Sequence, residues 1–301
     1  MKISKKLWSI ILIAVVILIF ILVQKFYAKE KAMIPEKIVI RLGVEGQADA
    51  KTQGFDVMSH PSGLYFYTAH WDNPGKLGVV RFEKGSNSFE IGNVQIVNGT
   101  GDNDFPENGV ENWDVIFRVA STKTSSYAEA RDNAMALLGR LRAAGWKRYI
   151  ETSDPRLTGK EAMLYELSEP GLIYSMDSAY TPTIEEWKRI VEIEPVWSFY
   201  ANGVFVDLTL SYQASTSDMG VYLMDIKISS AIDNYSAYFS KDDDDIKRQW
   251  KKCLSDRLEP ARKERLMREA KLDPKKYTID TTYQAPPFEA PDFSAEAGAA
   301  H

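Results

Sequence analysis

The longest uninterrupted apolar stretch lies near the start of the chain. Leu7 to Val23 reads LWSIILIAVVILIFILV, with Ser9 its one polar residue. About 17 residues at about 1.5 Å each make roughly 25 Å of helix, enough for a short membrane span. Trp8, Phe26 and Tyr27 flank it, and aromatic rings favour the membrane interface. After a charged tether, residues 28–36, the pattern turns to short alternating segments. Lys37–Leu42 (KIVIRL), Leu64–His70 (LYFYTAH), Leu77–Phe82 (LGVVRF), Val94–Val97 and Trp113–Ala120 (WDVIFRVA) predict strands. Turn signals stand at His60-Pro61-Ser62-Gly63 and Asn73-Pro74-Gly75, and residues 98–112 (NGTGDNDFPENGVEN) predict a polar loop.

The clearest helix follows. Ser126 and Glu129 have capping-box spacing, and Tyr127, Ala130, Ala134, Leu137, Leu138 and Leu141 recur at helical intervals. Gly145 is placed to end that helix in the left-handed conformation. Trp146–Ile150 (WKRYI) then predicts a strand. Thr181-Pro182 opens a second helix, with Pro182 at its first position and Glu185 and Glu186 at the positive end of its dipole. Val196–Tyr200 and Val204–Tyr212 flank Asn202-Gly203, the strongest hairpin signal in the chain. Val204, Val206, Leu208 and Leu210 share one side of that strand. Phe205, Asp207, Thr209 and Ser211 share the other, so one sheet face is expected to be wet or covered by a partner. Gly220–Ser229 predicts a further strand. Ile246, Trp250, Cys253, Leu254 and Leu258 mark an amphipathic helix, which Pro260 is expected to break before another ends ahead of Asp273-Pro274.

The fold class expected is α+β: a mainly antiparallel sheet with helices packed on one face, preceded by one N-terminal transmembrane helix. The expected organisation is an anchor at 1–27, a tether at 28–36 and an α+β region at 37–284, with a division into 37–112 and 113–284 left open. The Pro- and Ala-rich residues 285–301 are expected to be disordered.

Charge and composition narrow the function classes. The 301 residues carry a formal net charge of −5, and a nucleic-acid binder normally shows a basic excess. A single cysteine excludes a disulfide scaffold and a thiolate-rich metal cluster. Lys2, Lys5 and Lys6 precede the apolar run, while Lys25, Lys29 and Lys31 follow it, so charge bias alone does not orient it. A cleaved secretory signal is the competing reading. The run exceeds the usual apolar region of about 7–15 residues, however, and no A-x-A site follows. The expectation is a single-pass signal-anchor in a bacterial inner membrane, with the C-terminal region in the periplasm and the bilayer contacted through this helix.

No HExxH, CxxC, GxSxG or phosphate-loop motif occurs. His60 precedes a proline in a turn, His70 ends an aromatic strand, and His301 is at the C-terminus. Cys253 sits on an apolar helix face with no histidine near in sequence, so a buried structural thiol is expected. Asp102, Asp104 and Glu107 supply oxygen ligands, but without the spacing of a calcium loop. Gly99-Thr100-Gly101 lacks the third glycine and following helix of a phosphate cradle. Lys247, Arg248, Lys251 and Lys252 form a basic cluster that matches no phosphate motif. No catalytic residue, metal or cofactor is expected. The acidic run Asp242, Asp243, Asp244 and Asp245 is the candidate partner-binding site, against the plainer reading of a solvated helix start.

AGWKRYI at Ala144–Ile150, SDPRLTGKEA at Ser153–Ala162, YTPTIEEWK at Tyr180–Lys188 and WSFYANGVFVDL at Trp197–Leu208, together with the N-terminal anchor, resemble single-pass periplasmic proteins encoded beside type VI secretion phospholipase effectors. Those proteins act as immunity or adaptor partners. The resemblance spans roughly residues 110–285 and carries over no functional residue. It implies effector binding without catalysis. The expected function is therefore a non-catalytic, membrane-tethered periplasmic interaction protein with a protein partner and no nucleic acid. An anchored envelope hydrolase using Asp and Glu residues, or an envelope-assembly component, is the alternative.

Overall fold

The computed structural model describes residues 34–71, 76–168, 171–239 and 249–289. Within them runs one mixed sheet of eleven strands. These are β1 (Lys37–Ile40), β2 (Asp56–Ser59), β3 (Leu64–His70), β4 (Gly78–Phe82), β5 (Phe89–Asp102), β6 (Val110–Arg118), β7 (Ser125–Ser126), β8 (Lys147–Arg148), β9 (Val196–Ala201), β10 (Val204–Ala214) and β11 (Met219–Ser230). The main order is β1-β4-β5-β6-β11-β10-β9-β8; β3 also pairs with β5 and carries β2, and β7 pairs with β11. Every pairing is antiparallel except β1 with β4, which is parallel. The sheet crosses residue 112 without a break, so 37–112 and 113–284 share one framework.

Six helices accompany the sheet among the described residues: α1 (Gly43–Thr52), α2 (Tyr127–Ala143), α3 (Gly159–Glu166), α4 (Ile184–Ile190), α5 (Ala231–Asn234) and α6 (Trp250–Lys271). None is long and apolar enough to cross a membrane, and the predicted anchor Leu7–Val23 lies outside the described residues.

Alternation builds the core. Val204, Val206, Leu208 and Leu210 of β10 are buried, and Ile228, Ile226 and Met224, the β11 register partners of the last three, are buried with them. Trp113, Val115 and Phe117 of β6 continue the same layer. Helix α2 caps this layer with Ala130, Ala134, Leu137, Leu138 and Leu141. Ser126 accepts the Glu129 amide at its start, and Gly145 follows its end at φ +86°, as expected. Trp187 of α4 stacks on Trp197 of β9 at 6.5 Å and 23°.

The expectation of helices on one face is corrected. Phe205 lies on the side opposite Leu208 and packs with Tyr235, Leu254, Leu258 and Phe288. Helices α5 and α6 therefore cover the second face at the β9–β10 end, because Phe205 and its register partner Tyr200 make that corner apolar.

Other boundaries move for identifiable reasons. Residues 98–102 and 110–112 belong to strands, so the predicted loop shrinks to 103–109. Gly99 and Gly101 mark crowding rather than a turn: a Cβ on Gly99 would lie 2.4 Å from the Trp113 ring, and one on Gly101 would lie 2.3 Å from the Tyr65 ring. The WKRYI strand is confined to Lys147–Arg148. Helix α4 starts after Thr183, which forms a capping box with Glu186, so Pro182 precedes the cap instead of opening the helix. Helix α6 continues through Pro260. The proline removes the amide that would pair with the Asp256 carbonyl one turn back, and beside it the Arg262 guanidinium donates to the neighbouring Ser255 carbonyl at 2.8 Å. Helix α1 is unmarked in the sequence, since GVEGQADAKT has little apolar periodicity. The tail reading is corrected over 285–289: Phe288 and Glu289 are buried. Residues 290–301 lie outside the described part.

Candidate functional site

Away from the Phe205 corner, the second face of the sheet is polar and half-buried rather than covered. One row of residues crosses it in register. Ser198 of β9 faces Asp207 of β10, which faces Lys227 of β11, which faces Asp114 of β6. The row continues through Asn98 of β5 to Thr68 of β3. Cross-strand partners share a face, so six strands deliver six polar side chains to a single line. Thr68 donates to Asn98 at 3.1 Å within it.

Two further carboxylates border the row. Asp225 is two residues from Lys227 on β11. Asp233 is set by the Ser230 cap, whose hydroxyl accepts the Asp233 amide at 3.2 Å. Asp233 then takes the Asn112 amide at 3.2 Å and the Lys227 ammonium at 3.6 Å. Four aspartates thus surround one ammonium, and the surface is acidic.

The electrostatics follow from crowding. Burial pushes the Asp225 carboxyl up to about 6, with Asp114 adding repulsion and Lys227 opposing it. Its Oδ1 is buried without a hydrogen-bond partner among the described residues. Burial also raises Asp114, against the pull of Lys227 and with a further push from Asp233. Asp207 is raised by burial too, offset by Ser198 and Lys227. The cluster thus sets four carboxyl groups against one ammonium, and burial raises three of them. Its chemistry is that of an anionic platform for cationic groups, since Lys227 alone does not neutralise it.

A second set of perturbed acids is enclosed beneath the C-terminal segment. Glu289 accepts from Tyr235 and Thr152, and burial pushes it to about 7. Asp154 is bound by Arg268 at 2.8 Å, yet burial outweighs the guanidinium and holds it at about 6. Glu166 is lifted by burial to about 7. All three are nearly inaccessible to solvent; Glu289 and Asp154 fasten the C-terminal segment through Tyr235, Thr152 and Arg268, while Glu166 Oε2 has no hydrogen-bond partner among the described residues.

The residues singled out in the sequence fall elsewhere. Asp242, Asp243, Asp244 and Asp245, with Lys247 and Arg248, lie outside the described residues. Asp102 and Asp104 close an Asx turn, with the Asp104 amide 2.9 Å from Asp102 Oδ1. His60 Nδ1 is 2.7 Å from the exposed Ser62 hydroxyl. Cys253 is half-buried beside the Phe205 cluster, not fully buried as expected. Among the described residues no group of three or more His, Cys, Asp or Glu side chains is placed to hold a metal ion.

Sequence reasoning placed Asp207 on the wet face but missed Asp114, Asp225, Lys227 and Asp233. Charged residues inside strands of otherwise apolar alternation were the available signal, because aspartate is unfavourable there without a reason. No family model, no curated protein and no solved structure matches the chain.

Proposed function

We propose that this chain is a non-catalytic interaction protein, tethered to a bacterial inner membrane by Leu7–Val23 with its sheet in the periplasm. In this reading the acidic sheet face receives a basic surface of a protein partner, an effector for which the chain serves as immunity or adaptor protein. The observation that carries the reading is the in-register row Asp207–Lys227–Asp114 with Asp225 and Asp233 around it. Four carboxylates around one ammonium complement cationic side chains, and such surfaces accelerate encounter and fix register. The Asp242–Asp245 run would add to the same steering field.

The test is association with the purified product of the adjacent gene. The full chain in uncharged detergent is compared with Asp114→Asn/Asp225→Asn and with all four of Asp242–Asp245 changed to Asn, at two ionic strengths. Slower association and a flatter salt dependence in either variant support the reading. Rates equal to those of the unmodified chain at low salt remove the charged surfaces from it.

The anchored-hydrolase reading keeps one specific observation: Asp225 sits near neutrality beside a second carboxylate, the arrangement of a general acid–base pair. Turnover of a generic ester or glycoside that disappears in Asp225→Asn would favour it over binding.

A further inference from the structure

On one side the sheet ends in β1 and β2, which are joined to β5 through β4 and β3. An edge strand offers unpaired amides and carbonyls to any strand that approaches, and folds commonly block it. The β1 edge is blocked. The Gln53 carboxamide accepts the Val39 amide and donates to the Val39 carbonyl, each at 2.7 Å, and the Trp113 indole takes the Arg41 carbonyl. At the opposite side of the sheet, just beyond β8, the Tyr283 hydroxyl accepts the Ile150 amide at 2.8 Å and donates to the Ile150 carbonyl at 3.2 Å. Strand β2 has no such cover among the described residues. It pairs with β3 alone, and all four of its residues are exposed.

The ladder fixes which groups face outward. The His60 amide donates to the Leu64 carbonyl, and the Trp71 amide to the Gln95 carbonyl. Bonds alternate sides along an antiparallel strand. The odd-numbered residues of β3 therefore bond to β5 and its even-numbered residues to β2. On β2, Asp56 and Met58 bond inward to Thr68 and Phe66, while Val57 and Ser59 turn their amides and carbonyls outward. No described residue bonds these four groups. The strand also carries two apolar side chains in the open, Val57 at 51% and Met58 at 62% exposure, and neither a lysine nor a proline.

A second copy of β2, antiparallel about a two-fold axis, fits this edge in one register. With Met58 opposite Met58 of the second copy, Val57 pairs with Ser59 and Ser59 with Val57, so all four outward groups of each copy are bonded. Centring the axis on Val57 would oppose Ser59 to Phe55, whose amide is already given to the Ala50 carbonyl. Centring it on Ser59 would oppose Val57 to Pro61, which has no amide to give. The Met58 register is also complementary in charge. It sets Asp56 opposite His60 of the second copy, twice, on the face that carries Met58. The Ser62 amide donates to His60 Nδ1 at 3.2 Å, which leaves the ring proton on Nε2 as a donor for a carboxylate.

We infer that β2 is the surface through which two copies of this chain pair, joining their sheets across Met58. The contact is isologous and consumes the open edge of both copies, so it closes at two. It is smaller than the interface of a tight dimer, and the association is weak and concentration-dependent.

The experiment is sedimentation equilibrium of the full chain in an uncharged maltoside detergent, up to about 100 µM, beside oxidative crosslinking of cysteine variants. The expected result is a concentration-dependent dimer. Met58→Lys sets two ammonium groups against each other at an exposed position, and should give a monomer with an unchanged melting temperature. Met58→Cys should form a disulfide-linked dimer on mild oxidation, because opposed residues of a non-hydrogen-bonded pair bring their Cα atoms to about 4.5 Å. Val57→Cys, which faces Ser59 of the second copy, should not, and nor should the unmodified chain with Cys253 as its one thiol. His60→Asp opposes two carboxylates and should weaken pairing about tenfold, while Asp56→Lys/His60→Asp should restore it. A chain that stays monomeric at the highest concentration and gives no Met58→Cys crosslink leaves this edge to a strand of another protein, and overturns the proposal. A dimer that Met58→Lys leaves intact, or crosslinking of Val57→Cys as fast as that of Met58→Cys, also overturns it.

Discussion

Arg156 and Glu269 meet in a two-pronged ion pair, Nε to Oε1 and Nη2 to Oε2, each at 2.8 Å. The Arg156 amide adds a third bond to the same carboxylate at 3.0 Å. The pair joins α6 to the loop ahead of α3. Along the same stretch of α6, Arg265 donates to the carbonyls of Ile150, Glu151 and Asp154, and Arg268 binds the Asp154 carboxylate. Helix α6 buries just Leu254 and Leu258 fully, so its C-terminal half is held by guanidinium groups rather than by an apolar stripe.

Glu269→Ala is expected to destabilise the fold by about 3 kcal/mol, because it leaves Arg156 without its partner in a largely closed setting. Arg156→Lys keeps the charge but loses the fork, and should cost about 1 kcal/mol. Urea unfolding monitored by tryptophan fluorescence measures both. Burial alone would raise the Glu269 carboxyl, but its bonds to Arg156 outweigh that and lower it. Its stabilisation is therefore present at neutral pH and lost as pH falls below the usual carboxylate range. A loss under about 0.5 kcal/mol for Glu269→Ala would show the pair to be energetically neutral.

The pH dependence at Glu289 has the opposite sign. Its carboxyl is raised from 4.5 to about 7, so the folded protein binds a proton that the unfolded chain releases. This stability is complete below pH 4.5 and fades as pH rises through about 7, a loss on the order of 3 kcal/mol. Glu289→Gln keeps an acceptor for Tyr235 and removes the proton. The melting temperature of this variant, measured from pH 4.5 to 8, should fall less steeply with pH than that of the unmodified chain. Parallel curves would place the titration elsewhere.

Gly99→Ala is expected to destabilise by about 2 kcal/mol or more, since the new methyl must displace the buried Trp113 ring that lies 2.4 Å from its position. Trp113 cannot swing aside without breaking its bond to the Arg41 carbonyl at 2.7 Å. Gly92 on the same strand is the matched control: nothing lies within 4 Å of an added Cβ there. Gly92→Ala should be neutral or slightly stabilising in the same thermal melt.

For the anchor, the full chain should stay in the membrane fraction after a high-salt wash, and a reporter fused after Gln284 should read as periplasmic. Release without detergent would remove Leu7–Val23 as an anchor. A cytoplasmic reporter signal would reverse the orientation.

Local pattern alone determined much of the framework. Leu64–His70 is a strand over that span, Asn202-Gly203 turns the β9–β10 hairpin, and the Ser126 to Gly145 helix has the predicted apolar face. These elements answer to short-range physics: alternation, turn chemistry and caps act within a few residues. The wet face of β10 was also legible, because Asp207, Thr209 and Ser211 alternate with buried aliphatics.

What covers or completes that face was decided by tertiary structure. Phe205 is buried because α6 and Phe288 return to it from more than forty residues away, and Glu289 is a core residue although its segment reads as a Pro- and Ala-rich disordered tail. Asp114, Asp207 and Lys227 belong to one row because three strands adopt one register. Register and helix docking depend on the summed packing of the whole sheet, and no window of neighbouring residues contains that information.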